Sequence, residues 1–163
     1  MPDQAVILLV EDLEDDVFMI SHALERGCIN NPLRVVRDGE EAIAYLKGDG
    51  QYADRAEYPL PDLVLLDLRL PGKDGFDVLR WLRQQTHFNA LRIVVLTASS
   101  NVRDVSLAYQ LGASSFLVKS VDFQQLVALG RTLSTFWLPP TPLPCPSPIP
   151  ELNPPVPQNP SPE

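Results

Sequence analysis

Apolar residues in the first 138 positions fall alternately into short unbroken runs and into stripes spaced three or four apart. The runs cover residues 5–10 and 63–66 (the latter closed by Asp67), with shorter ones in 33–36 around Arg34, in 92–96 after Arg92 and in 115–118 after Ser115, and Val, Ile and Leu dominate them. Unbroken apolar character marks strands covered on both faces, as in a parallel sheet. Between them Leu13, Val17, Ile20 and Leu24 predict a helix reaching about Gly27. Asp38 with Glu41 is placed for a capping box that opens a helix through Leu46. Phe76, Leu79 and Leu82 mark a third helix, and Val105, Ala108 and Leu111 a fourth that Asn101 and Asp104 open and Gly112 stops. Asp122 with Gln125 opens a fifth, with Leu126, Leu129, Leu133 and Phe136 on its apolar face. Five strands alternating with five helices predict a doubly wound α/β sheet with all strand C-termini on one edge.

Two segments break this rhythm. Gly48 to Pro61 is polar and longer than most connections, so a contact surface is expected there. After Leu138 twelve of the 17 prolines crowd into residues 139–163, without a lysine or arginine. Proline at that density excludes helix and sheet interior, so the domain is placed at 1–138 and a disordered or polyproline II tail at 139–163. A solvated tail is the first reading, and docking on an aromatic groove the second.

The 163 residues, 45% hydrophobic, suffice for one core. The net charge of -8 argues against a nucleic-acid or anionic-membrane partner. No apolar run approaches the ~20 residues of a membrane span, and the N-terminus lacks a secretory pattern, so a cytoplasmic location is expected. Cys28 and Cys145 match no metal-ligand spacing and His22 and His87 are isolated, which argues against zinc or thiol chemistry.

The chemistry gathers at strand ends. The first strand runs into Glu11-Asp12, the third into Asp67, the fourth into Thr97 and the fifth into Lys119. Taken singly, Glu11-Asp12 is a helix cap, Thr97 a strand terminator, Lys119 a solvated charge and Phe116 ordinary packing. Taken together along one edge, the acids crowd unless a cation joins them. A carboxylate can accept a phosphoryl group, and phosphoryl transfer needs mainly positioning and charge neutralisation. Mg²⁺ suits the set, with Asp12 and Asp67 as direct ligands and Glu11 acting through water.

These motifs resemble the receiver domain of two-component response regulators. The likeness runs over residues 5–137, through Ile-Leu-Leu-Val-Glu-Asp (7–12), Leu-Val-Leu-Leu-Asp-Leu-Arg-Leu-Pro-Gly-Lys-Asp-Gly (63–75), Val-Leu-Thr-Ala (95–98) and Gly-Ala-Ser-Ser-Phe-Leu-Val-Lys (112–119). It implies a flavodoxin-like fold of strand order 2-1-3-4-5 and phosphotransfer from a sensor histidine kinase to Asp67. It also implies Mg²⁺ on Glu11, Asp12, Asp67 and the Arg69 backbone carbonyl, and a Thr97–Phe116 switch. The loop before Pro61-Asp62 and the ending Thr135-Phe136-Trp137-Leu138 resemble, more narrowly, the stand-alone regulators that partner cyanobacterial phytochrome kinases. That subgroup implies a homodimer through the face of the fourth helix, fifth strand and fifth helix.

Two positions depart from the family pattern: Glu11 replaces the commoner aspartate, and Ser120 replaces a proline that helps aim the lysine. Arg69 and Ser99, two residues beyond Asp67 and Thr97, are placed to tune the lifetime of a phosphoryl group. Two other classes stay open: a receiver-fold scaffold that never takes phosphate, and an aspartate-nucleophile phosphatase. The phosphatase wants an acid where Arg69 stands.

Overall fold

The computed structural model describes residues 5–27, 29, 31–98, 101–119 and 123–136. The expectations for Cys28, Ser99, Ser120, Asp122, Trp137, Leu138 and the segment 139–163 lie outside the described residues. Strands β1 (Ile7–Val10), β2 (Leu33–Val36), β3 (Leu63–Leu66), β4 (Arg92–Thr97) and β5 (Ser115–Val118) form one sheet. All its pairings are parallel and its order is β2-β1-β3-β4-β5, the doubly wound, flavodoxin-like arrangement that the alternating pattern predicts. Helices α1 (Glu14–Arg26), α2 (Gly39–Lys47), α3 (Gly75–Arg83), α4 (Val102–Gln110) and α5 (Phe123–Phe136) connect or follow the strands.

Every residue of β1 and β3 is buried, as unbroken apolar runs require of central strands. Side chains alternate between the two faces. Leu8, Val10, Val64, Leu66, Ile93 and Val95 join Ala42, Leu46, Val78, Leu79 and Ala108 from α2, α3 and α4. Ile7, Leu9, Leu63, Leu65, Val94 and Leu96 pack instead with Ile20 and Leu24 of α1. Ala23 of α1 meets Leu126 and Val127 of α5. The two helices cross closely because Gly27 and Gly130 face each other's backbones; a Cβ on Gly27 would lie 2.9 Å from the Arg131 nitrogen.

Some local expectations need correction. Leu13 does not open the apolar stripe of α1: it is the N-cap, with extended backbone, and is 55% exposed. The helical spacing starts only at the next residue, so the stripe is the partly buried Val17 with the buried Ile20 and Leu24. Asp38 does cap α2, its Oδ1 accepting from the Glu41 N–H at 2.7 Å. The reciprocal half of that box is absent, since Glu41 accepts from the Arg37 N–H (2.9 Å) and the Tyr52 hydroxyl (2.5 Å). A complete capping box occurs on α3 between Asp74 and Asp77.

The segment 48–61 is polar in composition yet firmly anchored. It contains a 3-10 turn, Gly50–Tyr52, and packs Tyr52 and Tyr58 in tilted and edge-to-face contacts with Tyr45 of α2 and with each other, ring centroids 5.0–6.1 Å apart. The Arg55 guanidinium donates to the carbonyls of Tyr45 (2.8 Å), Leu46 (2.9 Å) and Tyr58 (3.1 Å). Two of these belong to the last turn of α2, where carbonyls lack helical partners. Arg55→Ala should therefore cost about 1.5–3 kcal/mol in urea unfolding, the range for hydrogen bonds to a charged group. Arg55→Lys should recover less than half of the loss, because an ammonium cannot reproduce the planar fork.

Candidate functional site

Backbone register delivers the site. Val10 pairs with both Val36 and Leu66, and Leu66 with Val95, so Glu11 and Asp67 emerge side by side at the carboxyl edge. The ladder continues past the strand ends: Glu11 N–H donates to Val36 O (3.0 Å), Asp67 N–H to Val10 O (3.1 Å) and Lys119 N–H to Thr97 O (2.7 Å). After Asp67 the chain folds back tightly, with the Gly75 N–H on Leu68 O at 3.0 Å. A Cβ on Gly75 would sit 2.4 Å from Asp67 O, so only glycine fits that position. The Arg69 N–H donates to Asp67 Oδ1 at 3.1 Å, while the Arg69 residue as a whole is exposed.

The side chains converge on Lys119. Its Nζ donates to Asp67 Oδ2 (2.9 Å), to Asp16 Oδ2 (2.9 Å) and to Glu11 Oε2. Glu11 is fully buried, the Asp67 side chain is 7% exposed and that of Lys119 is 12% exposed, so the partners are poorly screened. Burial pushes the Glu11 carboxyl up to about 7; the Asp67 charge adds to this, and the Lys119 hydrogen bond opposes it. Burial draws the Lys119 ammonium downward, but its hydrogen bonds to Glu11, Asp16 and Asp67 prevail and hold it above the ordinary lysine value.

Glu11, Asp12 and Asp67 each offer a carboxylate oxygen within 4.8 Å of the others. With Asp16, three carboxylates meet one ammonium and Asp12 adds a fourth acid close to two of them. An all-oxygen donor set carrying excess negative charge fits a hard divalent cation such as Mg²⁺. Thr97 is fully buried at the end of β4. Phe116 is half-buried against the cluster under α2, α3 and α4, and its N–H donates to the Tyr109 hydroxyl at 3.1 Å. The pairings Val95–Phe116 and Thr97–Val118 put Thr97 and Phe116 on the same face of the sheet. The structure thus joins Glu11 and Asp67 to Lys119 directly, brings Asp12 close to both acids, and sets Thr97 and Phe116 on the adjoining strands. Asp16 was not legible from the sequence. It stands in the run Glu14-Asp15-Asp16, which reads as ordinary first-turn acids.

Comparison with known proteins decides the family. The model described as response regulator receiver domain matches residues 7–130. This chain is a response regulator receiver. Among curated relatives, response regulator Rcp1 of Synechocystis sp. is 38% identical over 133 residues, covering 82% of this chain and 88% of the relative. The crystal structure of the phosphorylated cyanobacterial phytochrome response regulator RcpA superimposes with a TM-score of 0.75 at 36% identity, over 82% of this chain and 94% of that one. The Mn²⁺-bound form of Rcp1 gives a TM-score of 0.73 at 38% identity, over 86% and 99%. Receivers of this kind are signalling proteins that bind Mg²⁺ in an acidic pocket, and the carboxylate cluster of this receiver is consistent with such a pocket.

The raised Glu11 value carries a sign for stability. A carboxyl whose folded value lies above its ordinary 4.5 contributes stability below that ordinary value and loses it as pH rises through about 7. In EDTA the melting temperature of the receiver should fall between about pH 5 and about pH 8, and Glu11→Gln should flatten the fall. A wild-type profile that matched the Glu11→Gln profile would contradict the buried-acid account.

Proposed function

We propose that this receiver is a stand-alone response regulator that accepts a phosphoryl group on Asp67 from the phosphohistidine of a sensor histidine kinase. The observation that carries this is Asp67 itself: a nearly buried carboxylate, 2.9 Å from an ammonium and within 4.8 Å of two further acids. An Asp67 oxygen attacks phosphorus as the phosphorus–nitrogen bond to the imidazole breaks, leaving an acyl phosphate. Glu11, Asp12, Asp67 and the Arg69 backbone carbonyl would hold Mg²⁺. When bound, the cation neutralises charge on the phosphoryl oxygens. Lys119 already donates to Asp67 and supplies a second positive charge where the phosphoryl oxygens arrive.

The output follows from the strands next to the site. The Thr97 hydroxyl moves to a phosphoryl oxygen, and Phe116, on the same face, repacks into the space released. That alters the surface of α4, β5 and α5, a population shift between two packings. Val102, Tyr109 and Val118 are exposed there, which supports a protein contact, including a second copy of the chain. Similarity to RcpA, a phytochrome response regulator, supports a kinase of the phytochrome type, and a cytoplasmic setting belongs to the same reading. Among the described residues no helix is long and apolar enough to cross a membrane.

Incubation with acetyl phosphate should give a base-labile adduct that requires Mg²⁺ and is lost in Asp67→Asn. An adduct that survives the substitution would place the acceptor elsewhere. No adduct at all would leave a receiver-fold scaffold, and steady turnover of phosphomonoesters would point to a phosphatase.

A further inference from the structure

We propose that Asp16 is a positioning residue for the phosphotransfer: it holds the Lys119 ammonium at the Asp67 carboxylate. The inference rests on the phosphoacceptor role of Asp67. An ammonium has three hydrogens, and here each has a carboxylate: Glu11, Asp67 and Asp16. Glu11 and Asp67 also belong to the trio of acids able to hold a cation, and Asp16 does not. Once a cation engages that trio, Asp16 is the acceptor left to Lys119 alone. Lys119 sits on a flexible four-carbon stem at the end of an edge strand. Asp16 by contrast is fixed on α1, which the sheet grips through Ile20 and Leu24. Anchoring a mobile charge to a rigid element is what preorganises a reacting centre.

The alternative is a generic one: acids in the first turn of a helix interact favourably with its dipole, and Glu14 and Asp15 share that place. Charge alone also predicts the opposite kinetic sign. Removing a negative group near the site should speed the attack of Asp67 on an anionic donor, whereas loss of the anchor should slow it. Asp15, exposed in the same turn, is the control that separates the two.

The test measures adduct formation from acetyl phosphate at saturating Mg²⁺ in the full chain. With it goes the hydrogen exchange of the Lys119 ammonium by ¹⁵N NMR in metal-free buffer. Asp16→Ala should slow adduct formation about tenfold, Asp15→Ala should stay within about twofold of wild type, and Asp16→Asn, which keeps an acceptor without the charge, should fall between. Lys119 ammonium exchange should quicken in Asp16→Ala and not in Asp15→Ala. Equal effects of the two alanines, a faster Asp16→Ala, or unchanged ammonium exchange would overturn the positioning role. A wild-type chain that takes no phosphoryl group would sink the reading of Asp67 and this role with it. A phosphorylated wild type with an unchanged Asp16→Ala rate would sink only the role of Asp16.

Discussion

Lys119 reaches from the end of β5 across the sheet edge to Asp67, Glu11 and Asp16, and most of what distinguishes this site follows from that one ammonium among several acids. Two of the carboxylates are almost wholly removed from water, where like charges repel strongly and are weakly screened. One lysine cannot balance Glu11, Asp12, Asp16 and Asp67. The arrangement therefore has two ways to relieve its charge: a proton on Glu11, whose carboxyl is pushed up to about 7, or a cation on the oxygens. The same imbalance makes the edge suited to a divalent ion, which the proposed phosphotransfer requires.

The fold supports this edge by keeping everything behind it dry and rigid. Strands β1 and β3 are buried on both faces, so Glu11 and Asp67 project from segments that have no freedom to move apart. Doubly wound sheets bind ligands outside the carboxyl ends of their strands, where loops diverge. Here the turn after Asp67 is clamped by the approach of Gly75 to the Asp67 carbonyl. The segment 48–61 is likewise pinned, by Arg55 and the tyrosine cluster, against the end of α2 away from the acids.

Much of this was legible in the chain because burial leaves a plain mark. Central strands of a parallel sheet must be apolar throughout, and the runs ending at Val10, Leu66 and Leu96 state that directly. The acids read as a site since each follows such a run. What stayed hidden depends on tertiary contact. Nothing in Glu14-Asp15-Asp16 distinguishes the acid that meets Lys119 from its exposed neighbours. Leu13 looked like the first member of an apolar stripe, but the extended N-cap backbone precedes the helical repeat. The Gly48–Pro61 loop reads from composition only as a polar contact surface, whereas its Arg55 donates to the α2 carbonyls and Tyr45 of α2 donates to its Pro59 carbonyl.

Titration with Mn²⁺, followed by paramagnetic broadening of backbone amides, tests most directly whether the excess charge at this edge forms a cation site. The account predicts that the amides of Glu11, Asp12, Asp67 and Arg69 broaden first, saturably and at one ion per chain, and that Mg²⁺ reverses the effect. Broadening that began at exposed acids such as Glu40 or Glu57, or spread evenly over the surface, would contradict it.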